Sequence, residues 1–405
     1  MLRTGLWLTV LVLFALVAAG CTEPGDNGGA ENDRDDEEIY EEGTLVIGAI
    51  LPQSGENATY GEEAVNGLRL SGLDGFTYKG VTVDLQIHDN NSESQMTRTR
   101  VETMIQDGAE LIIGAVASSN SRAGAAAASR EEILMVSPAS TQVALTQEIE
   151  HFTRVCYTDA VQGPVAADMA ASLLKADGIE PEELRAAVLF QQGNAYSIGI
   201  AEEFRRHITE ELGGTIVENV QFQRDDAEIH SQIRRIAASD PHVVFIPAYY
   251  GEVGVILRQA REDWQGSYIV GADGWDSPEL FELAGGALGD LDCYITSHFV
   301  ADEDRPEVID FVDRYERAFD GARPGAMSAL GYDSGLVVID AVKRAIDDAK
   351  GVPDRHQLRE AVLATQGVQG VTGEITIDPE TREVTKQPIL ARVTEDSLTF
   401  LDLER

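Results

Sequence analysis

The side chains best suited to chemistry fall into two short stretches. Ala117-Ser118-Ser119-Asn120-Ser121 closes the apolar run Leu111 to Val116, and Ser137-Pro138-Ala139-Ser140-Thr141 closes the run Ile133 to Val136. Small hydroxyls and unhindered backbone N–H groups at the ends of buried strands suit a ligand-binding site, because they donate hydrogen bonds without adding bulk. Later apolar runs also end on functional side chains. Tyr196 follows Ala186 to Phe190, Tyr249 and Tyr250 follow His242 to Ile246, and Asp273 and Trp275 follow Ser267 to Val270. Taken alone, Ser118 and Thr141 would serve equally as caps or turn residues, and Asp273 as a strand-end turn.

Catalysis is not indicated. There is no zinc spacing, no phosphate loop and no G-x-S-x-G, and the seven histidines are scattered. Ser172-Leu173-Leu174-Lys175 fits S-x-x-K, but it lies at the plain end of an amphipathic helix and reads as surface. The expectation is a binding protein, not an enzyme, with no cofactor and no metal.

The elements that must position these residues alternate regularly. Strand-like runs at Thr44–Ile50, Val81–Ile87, Leu111–Val116 and Ile133–Val136 are separated by helical spacing over Gly61–Leu70, Glu93–Asp107 and Ala123–Arg130. The rhythm breaks around Phe152 to Cys156 and restarts with a helix from Gln162 to Lys175, then strands at Ala186–Phe190, Thr215–Gln221, His242–Ile246 and Ser267–Val270. Helices are expected over Ala227–Ser239, Pro306–Phe319 and Ser328–Ala349, with hairpin-like strands at Gly373–Ile377 and Pro388–Val393. Alternation of this kind predicts α/β architecture: two doubly wound parallel sheets, with ligands taken at the strand C-termini.

The N-terminus reads as an export signal. Arg3, the apolar run Leu6 to Val17 and Ala18-Ala19-Gly20-Cys21 follow the order positive, apolar, small-residue cleavage site, and the run is short for a membrane span. A cysteine after Ala-Ala-Gly resembles a lipobox, although Ala18 stands where leucine is commoner. Residues 1–20 are therefore expected to be a signal peptide and Cys21 a lipidated N-terminus. Residues 22–43, rich in Gly, Asn, Asp and Glu, form a tether with an end-to-end distance of roughly 25 Å.

The 405 residues carry 70 acidic against 31 basic side chains and a formal charge of −39, which argues against nucleic acid as a partner. A solvated acidic surface and adaptation to high salt both account for this charge. Of the three cysteines, Cys156 and Cys293 remain once Cys21 is lipidated; one disulfide and two buried thiols are both open.

Several stretches together resemble the branched-chain amino-acid binding proteins of ABC importers, which have the type I periplasmic-binding-protein fold. They are Ile112-Ile113-Gly114 through Ser118-Ser119, Ile133 to Pro138 with Thr141, Asp159 to Gly163, Tyr249-Tyr250-Gly251-Glu252 leading to Leu257 to Arg261, and Gly370 to Gly373. The resemblance covers about residues 44 to 400. It implies two lobes joined by a three-segment hinge: 44–156 with 298–370 as lobe one, and 157–297 with 371–405 as lobe two. Cys156 and Cys293 would then lie on or beside adjacent hinge strands, close enough for a bridge.

The same resemblance implies the roles of the site residues. Ser118, with neighbouring Ser119, and Thr141, beside Ser140, would take the ligand's α-carboxylate, while Ala139 would offer its backbone carbonyl to the ammonium. Asp273 would pair with that ammonium where the best-known members have glutamate. Tyr196 and Tyr249 would close from lobe two, Tyr60 would wall the side-chain pocket, and Trp275 would shape that pocket or belong to the lobe-two core. The implied function is that of an extracytoplasmic, membrane-anchored lipoprotein, a monomer, that captures an amino acid by hinge closure and hands it to an ABC permease. A sensory ligand-binding protein for amino acids or amides is the alternative. Which ligand is bound cannot be read from the sequence.

Overall fold

The computed structural model describes residues 39–223 and 229–401. The expected signal peptide, Cys21 and nearly all of the expected tether lie outside the described residues, as do the first two residues of the helix expected over Ala227–Ser239, which runs His230–Ala238.

The first sheet is built from β1 (Gly43–Leu51), β2 (Thr77–Tyr78), β3 (Val81–Asp89), β4 (Leu111–Gly114), β5 (Met135–Ser137) and β6 (Phe152–Arg154), in the order β2-β3-β1-β4-β5-β6. All of its pairings are parallel except the short β2–β3 hairpin. The second sheet contains β7 (Arg185–Gln191), β8 (Thr215–Phe222), β9 (Val243–Phe245), β10 (Tyr268–Gly271) and β11 (Asp292–Ser297), all parallel. After a two-stranded unit, β12 (Val368–Gly370) with β13 (Gly373–Ile375), the chain adds β14 (Ile389–Val393) and β15 (Leu398–Phe400) antiparallel beside β11. The expected α/β class, with two parallel-dominated sheets in two lobes, is what the chain adopts.

Buried parallel strands read as continuous apolar runs because both faces are covered. The run Leu111 to Val136 is that case, and its strand residues are fully buried. The return of the C-terminal half onto the first sheet is visible in the helix Ala326–Ala349, which packs along Ala58–Leu70. The contact is backbone to backbone: a Cβ on Gly67 would lie 1.8 Å from the Ser328 carbonyl oxygen, and one on Gly331 would lie 2.2 Å from that of Ala64. Only glycine lets the two helices approach so closely.

In each sheet the strand order reverses once, between β1 and β4 in the first and between β7 and β9 in the second. Such reversals open a crevice beyond the strand ends, where ligands of open α/β sheets bind. The residues of interest sit at these two places.

Candidate ligand-binding cleft

The lobe-one wall begins where β4 stops. The helix expected from Ala123 in fact runs Ser118–Ser129, with extended Ala117 as its N-cap, so Ser118 and Ser119 lie in the first turn. This matters because first-turn N–H groups have no carbonyl of their own helix to bond. In this structure the backbone N–H of Ser118 meets the Tyr249 hydroxyl.

The neighbouring loop is stitched together by its own hydroxyls. Ser137 Oγ donates to the Ala115 carbonyl (2.8 Å), Ser140 Oγ to the Val116 carbonyl (2.7 Å), and Ser140 Oγ also pairs with Ser121 Oγ (2.7 Å). Ser140 is thereby committed to the loop. Thr141, 1 % exposed, turns its hydroxyl to the Asp159 carboxyl, and Ala139 lies buried beside it. Arg154 holds the loop from beneath: fully buried, it donates to the carbonyls of Ser140 (2.6 Å) and Gln142 (2.9 Å) and pairs with Glu383 (3.0 Å). Nothing but a basic residue inside the apolar stretch Phe152 to Tyr157 signalled this role.

The lobe-two wall is aromatic and acidic. Tyr196 enters at the first turn of Ala195–Arg206, whose N-cap Asn194 accepts from the N–H groups of Tyr196 (3.1 Å) and Ser197 (3.2 Å). Its ring stacks on Tyr249 (centroids 5.1 Å apart, 8° between planes), and Tyr60 of lobe one meets Tyr249 and Tyr250 edge-on at 6.1 and 4.7 Å. Such pairs contribute about 0.5–1.5 kcal/mol each beyond area burial. Tyr60 donates to the Gly274 carbonyl and Tyr250 to the Glu56 carbonyl (2.8 Å), so both tyrosines tie one lobe to the other. Of the adjacent pair, Tyr249 faces the Ser118 turn and Tyr250 lies further out against Glu56. Trp275 is fully buried and donates its indole N–H to the Ile246 carbonyl (2.8 Å), which seats it in the lobe-two interior.

Asp273, expected to await an ammonium group, already has partners. Oδ1 accepts from the Tyr196 hydroxyl (2.8 Å) and Oδ2 faces Nε2 of His298 (3.1 Å), while its N–H donates to Gln162 Oε1 (2.9 Å). His298 stacks on Tyr157 (3.8 Å, 21°), and burial pulls its pKa below the ordinary value despite the Asp273 carboxylate. His298 and Tyr157 fall at crossings between lobes that the family resemblance implies, but nothing in the sequence singled out either side chain. Close by, the buried carboxyl of Asp159 opens the helix Asp159–Ala176; burial pushes it up to about 8, against the Thr141 hydroxyl and the Arg154 cation, with the Asp273 and Glu203 charges adding to the rise.

Two cavities are lined by residues of the neighbouring loops. One of about 370 Å³ runs past Ser119 and Tyr249 and is lined by Glu56, Asn120, Gln191 and Asn194 from both sheets. The other, about 420 Å³, is lined by Glu63, Asp276, Phe281, Phe299 and Arg323. Here burial, then the Asp276 charge, raises Glu63 well above the carboxylate range, and burial pushes Asp276 up to about 6. Among the described residues no group of three or more His, Cys, Asp or Glu is placed to hold a metal.

The bridge left open between Cys156 and Cys293 is not made; both thiols are free and buried. Cys156 lies just past β6 with its sulfur toward the Ser140 carbonyl (3.6 Å), whereas Cys293 is near the start of β11. At about 3.3 Å per residue, that is roughly 16 Å before the strand reaches the crossing at His298. Burial pushes the Cys156 thiol up to about 12 and raises that of Cys293 as well.

A family model described as periplasmic binding protein matches residues 44–397. The chain belongs to that family. A leucine-binding protein of Thermotoga maritima superimposes on this periplasmic binding protein with a TM-score of 0.79 and 31% identity, over 88% of this chain and 98% of that one. The Leu/Ile/Val/Thr/Ala-binding protein of Pseudomonas aeruginosa is 24% identical over 83% of this chain and 86% of its own length. A Leu/Ile/Val-binding protein of Rhizobium johnstonii is 27% identical over 60% of this chain; the aligned part spans 65% of that relative. A Rhodopseudomonas palustris solute-binding protein in complex with benzoate shares the fold, with a TM-score of 0.76 at 22% identity.

Proposed function

We propose that this periplasmic binding protein captures a free amino acid outside the cytoplasm and delivers it to an ABC importer. The observation that carries this reading is the meeting, across one cleft, of the Ser118 helix start and Thr141 from lobe one with Tyr196, Tyr249 and Asp273 from lobe two. The first pair suits a carboxylate, Asp273 suits an ammonium group, and the rings suit an apolar or partly apolar side chain. Ser119 and the Ala139 carbonyl complete the lobe-one side. Tyr60 borders the side-chain space, and Ser140 serves by fixing the loop. Lobe one comprises residues 44–156 with 298–370, lobe two 157–297 with 371–405, and hinge closure presents the loaded form to the permease.

The signal-like residues 1–20, with Cys21 as a lipidated N-terminus and residues 22–43 as a tether, fit a monomeric lipoprotein held at a membrane surface. No described helix is long and apolar enough to cross a membrane. The relatives' printed ligands favour a branched-chain or similarly small amino acid.

A thermal-shift screen over the amino acids, simple amides and aromatic acids tests this directly. The expected result is stabilisation by one or a few amino acids, confirmed by calorimetric titration. Stabilisation by benzoate-type acids with no response to any amino acid would overturn it.

A further inference from the structure

The cavity of about 420 Å³ has two buried acids in its wall. Glu63, on the helix Ala58–Leu70, is 9 % exposed, and Asp276, just past the turn Asp273–Trp275, is 6 % exposed. The two are not equally satisfied. Asp276 accepts from the Ser297 hydroxyl (2.5 Å) and from the Ala326 N–H that opens the helix Ala326–Ala349. Glu63 lies against backbone, since a Cβ on Gly325 would be 2.9 Å from Oε1, and its Oε2 is buried without a hydrogen bond. Buried polar atoms are nearly always bonded, so an oxygen left in this way on a cavity wall calls for a donor. The charges acting on Glu63 are those of Asp276 and Glu62, both negative, while Arg323 at the rim is exposed and paired with Asp302.

The rest of the wall narrows what that donor is. Phe281, Phe299 and Leu398 set apolar surface beside the acids, a combination that suits a cation carrying hydrocarbon. An inorganic ion would leave the rings uncovered, and among the described residues no group of three or more His, Cys, Asp or Glu is placed to ligate one. A quaternary ammonium has no N–H to give. A primary ammonium has three, and its alkyl chain covers the rings.

We propose that this cavity is a second binding site, for a small primary alkylammonium ion whose N–H groups bond Glu63 and whose charge offsets both acids. It stands apart from the amino-acid cleft, because none of Ser118, Thr141, Tyr196, Tyr249 and Asp273 lines it, and it does not depend on the amino-acid reading. Its wall draws on the helix Ala58–Leu70 beside the first sheet and on the turn after β10 of the second, so the occupant spans elements of both. Burial and the Asp276 charge hold Glu63 in its protonated form; the ammonium ion reverses that balance, and the displaced proton leaves to the buffer.

The test is calorimetric titration of the whole chain with butylammonium chloride, beside tetramethylammonium chloride, which has the charge without the N–H groups, and 1-butanol, which has the chain without the charge. Wild type is expected to bind butylammonium saturably and each of the other two at least about 10-fold more weakly, the difference made by one charge-assisted hydrogen bond. Glu63→Gln should weaken butylammonium by about 10-fold or more. Glutamine keeps the shape of the side chain and removes the buried charge, so the variant is expected to fold. Thr399→Trp crowds the cavity from an exposed position, leaves both acids in place and should cause a similar loss; it decides the matter if Glu63→Gln does not fold. No saturable binding of butylammonium by wild type, or binding unchanged in Glu63→Gln, would overturn the site. Equal binding of 1-butanol would make it an apolar cavity only, and displacement of butylammonium by an equal concentration of sodium chloride would make it a site for an inorganic ion; either result overturns the proposal.

Discussion

The two walls of the cleft are built from different materials. Lobe one offers backbone N–H groups, small hydroxyls and a loop clamped by a buried arginine; lobe two offers stacked rings and an acid, Tyr196, Tyr249 and Asp273, joined at the crossing by His298. On the amino-acid reading proposed above, the first wall would read what every α-amino acid shares, and discrimination would fall to the second wall and the crossings.

Breaking the lobe-one wall should have the largest effect. Arg154→Met leaves Glu383 and two carbonyls without their buried partner, and the expected loss is about 3–5 kcal/mol in chemical denaturation. A mutant within 1 kcal/mol of wild type would mean the loop holds itself.

The interlobe acids come next. Asp276, raised from 3.8 to about 6, binds its proton more tightly in the folded chain, so the stability it supplies below about pH 4 is lost as pH rises through 6. Up to about 3 kcal/mol is at stake, and Asp276→Asn should flatten stability–pH curves over that window. Glu63 acts in the same direction.

Replacing Ser118 and Thr141 together by alanine should weaken carboxylate-bearing ligands by about 100-fold in calorimetry, two charge-assisted hydrogen bonds being removed. Equal weakening of an amide analogue would show that the wall reads shape, not charge. Tyr60→Phe removes the bond to the Gly274 carbonyl and should cost about 5-fold in affinity. Smallest of all, reducing agent should leave the melting temperature unchanged, and the denatured, unreduced chain should titrate the thiols of both Cys156 and Cys293.

Much of this was legible because buried parallel strands announce themselves as apolar runs, and their C-terminal residues mark the crevice. Ser118 and Thr141 do lie just past β4 and β5, where the apolar runs placed the strand ends. The helix start at Ser118 was read five residues late, since Ser-Ser-Asn-Ser resembles a loop when its carbonyl partners are unknown. His298, Tyr157 and Asp159 were harder to find, because crossings between lobes are short, lack periodicity, and bring together residues far apart in the chain. The choice between a bridge and two thiols stayed open in the sequence for a related reason: proximity to a hinge in sequence says nothing about which end of a strand a thiol occupies.

The glycine contacts between Ala58–Leu70 and Ala326–Ala349 carry a mechanical consequence. Two helices locked backbone to backbone cannot slide past one another. On the hinge-closure reading proposed above, the half that bears Ser118 and Thr141 would be the stator and the lobe that bears Tyr196 and Tyr249 the rotor, so that a solute would meet a surface whose shape is already set.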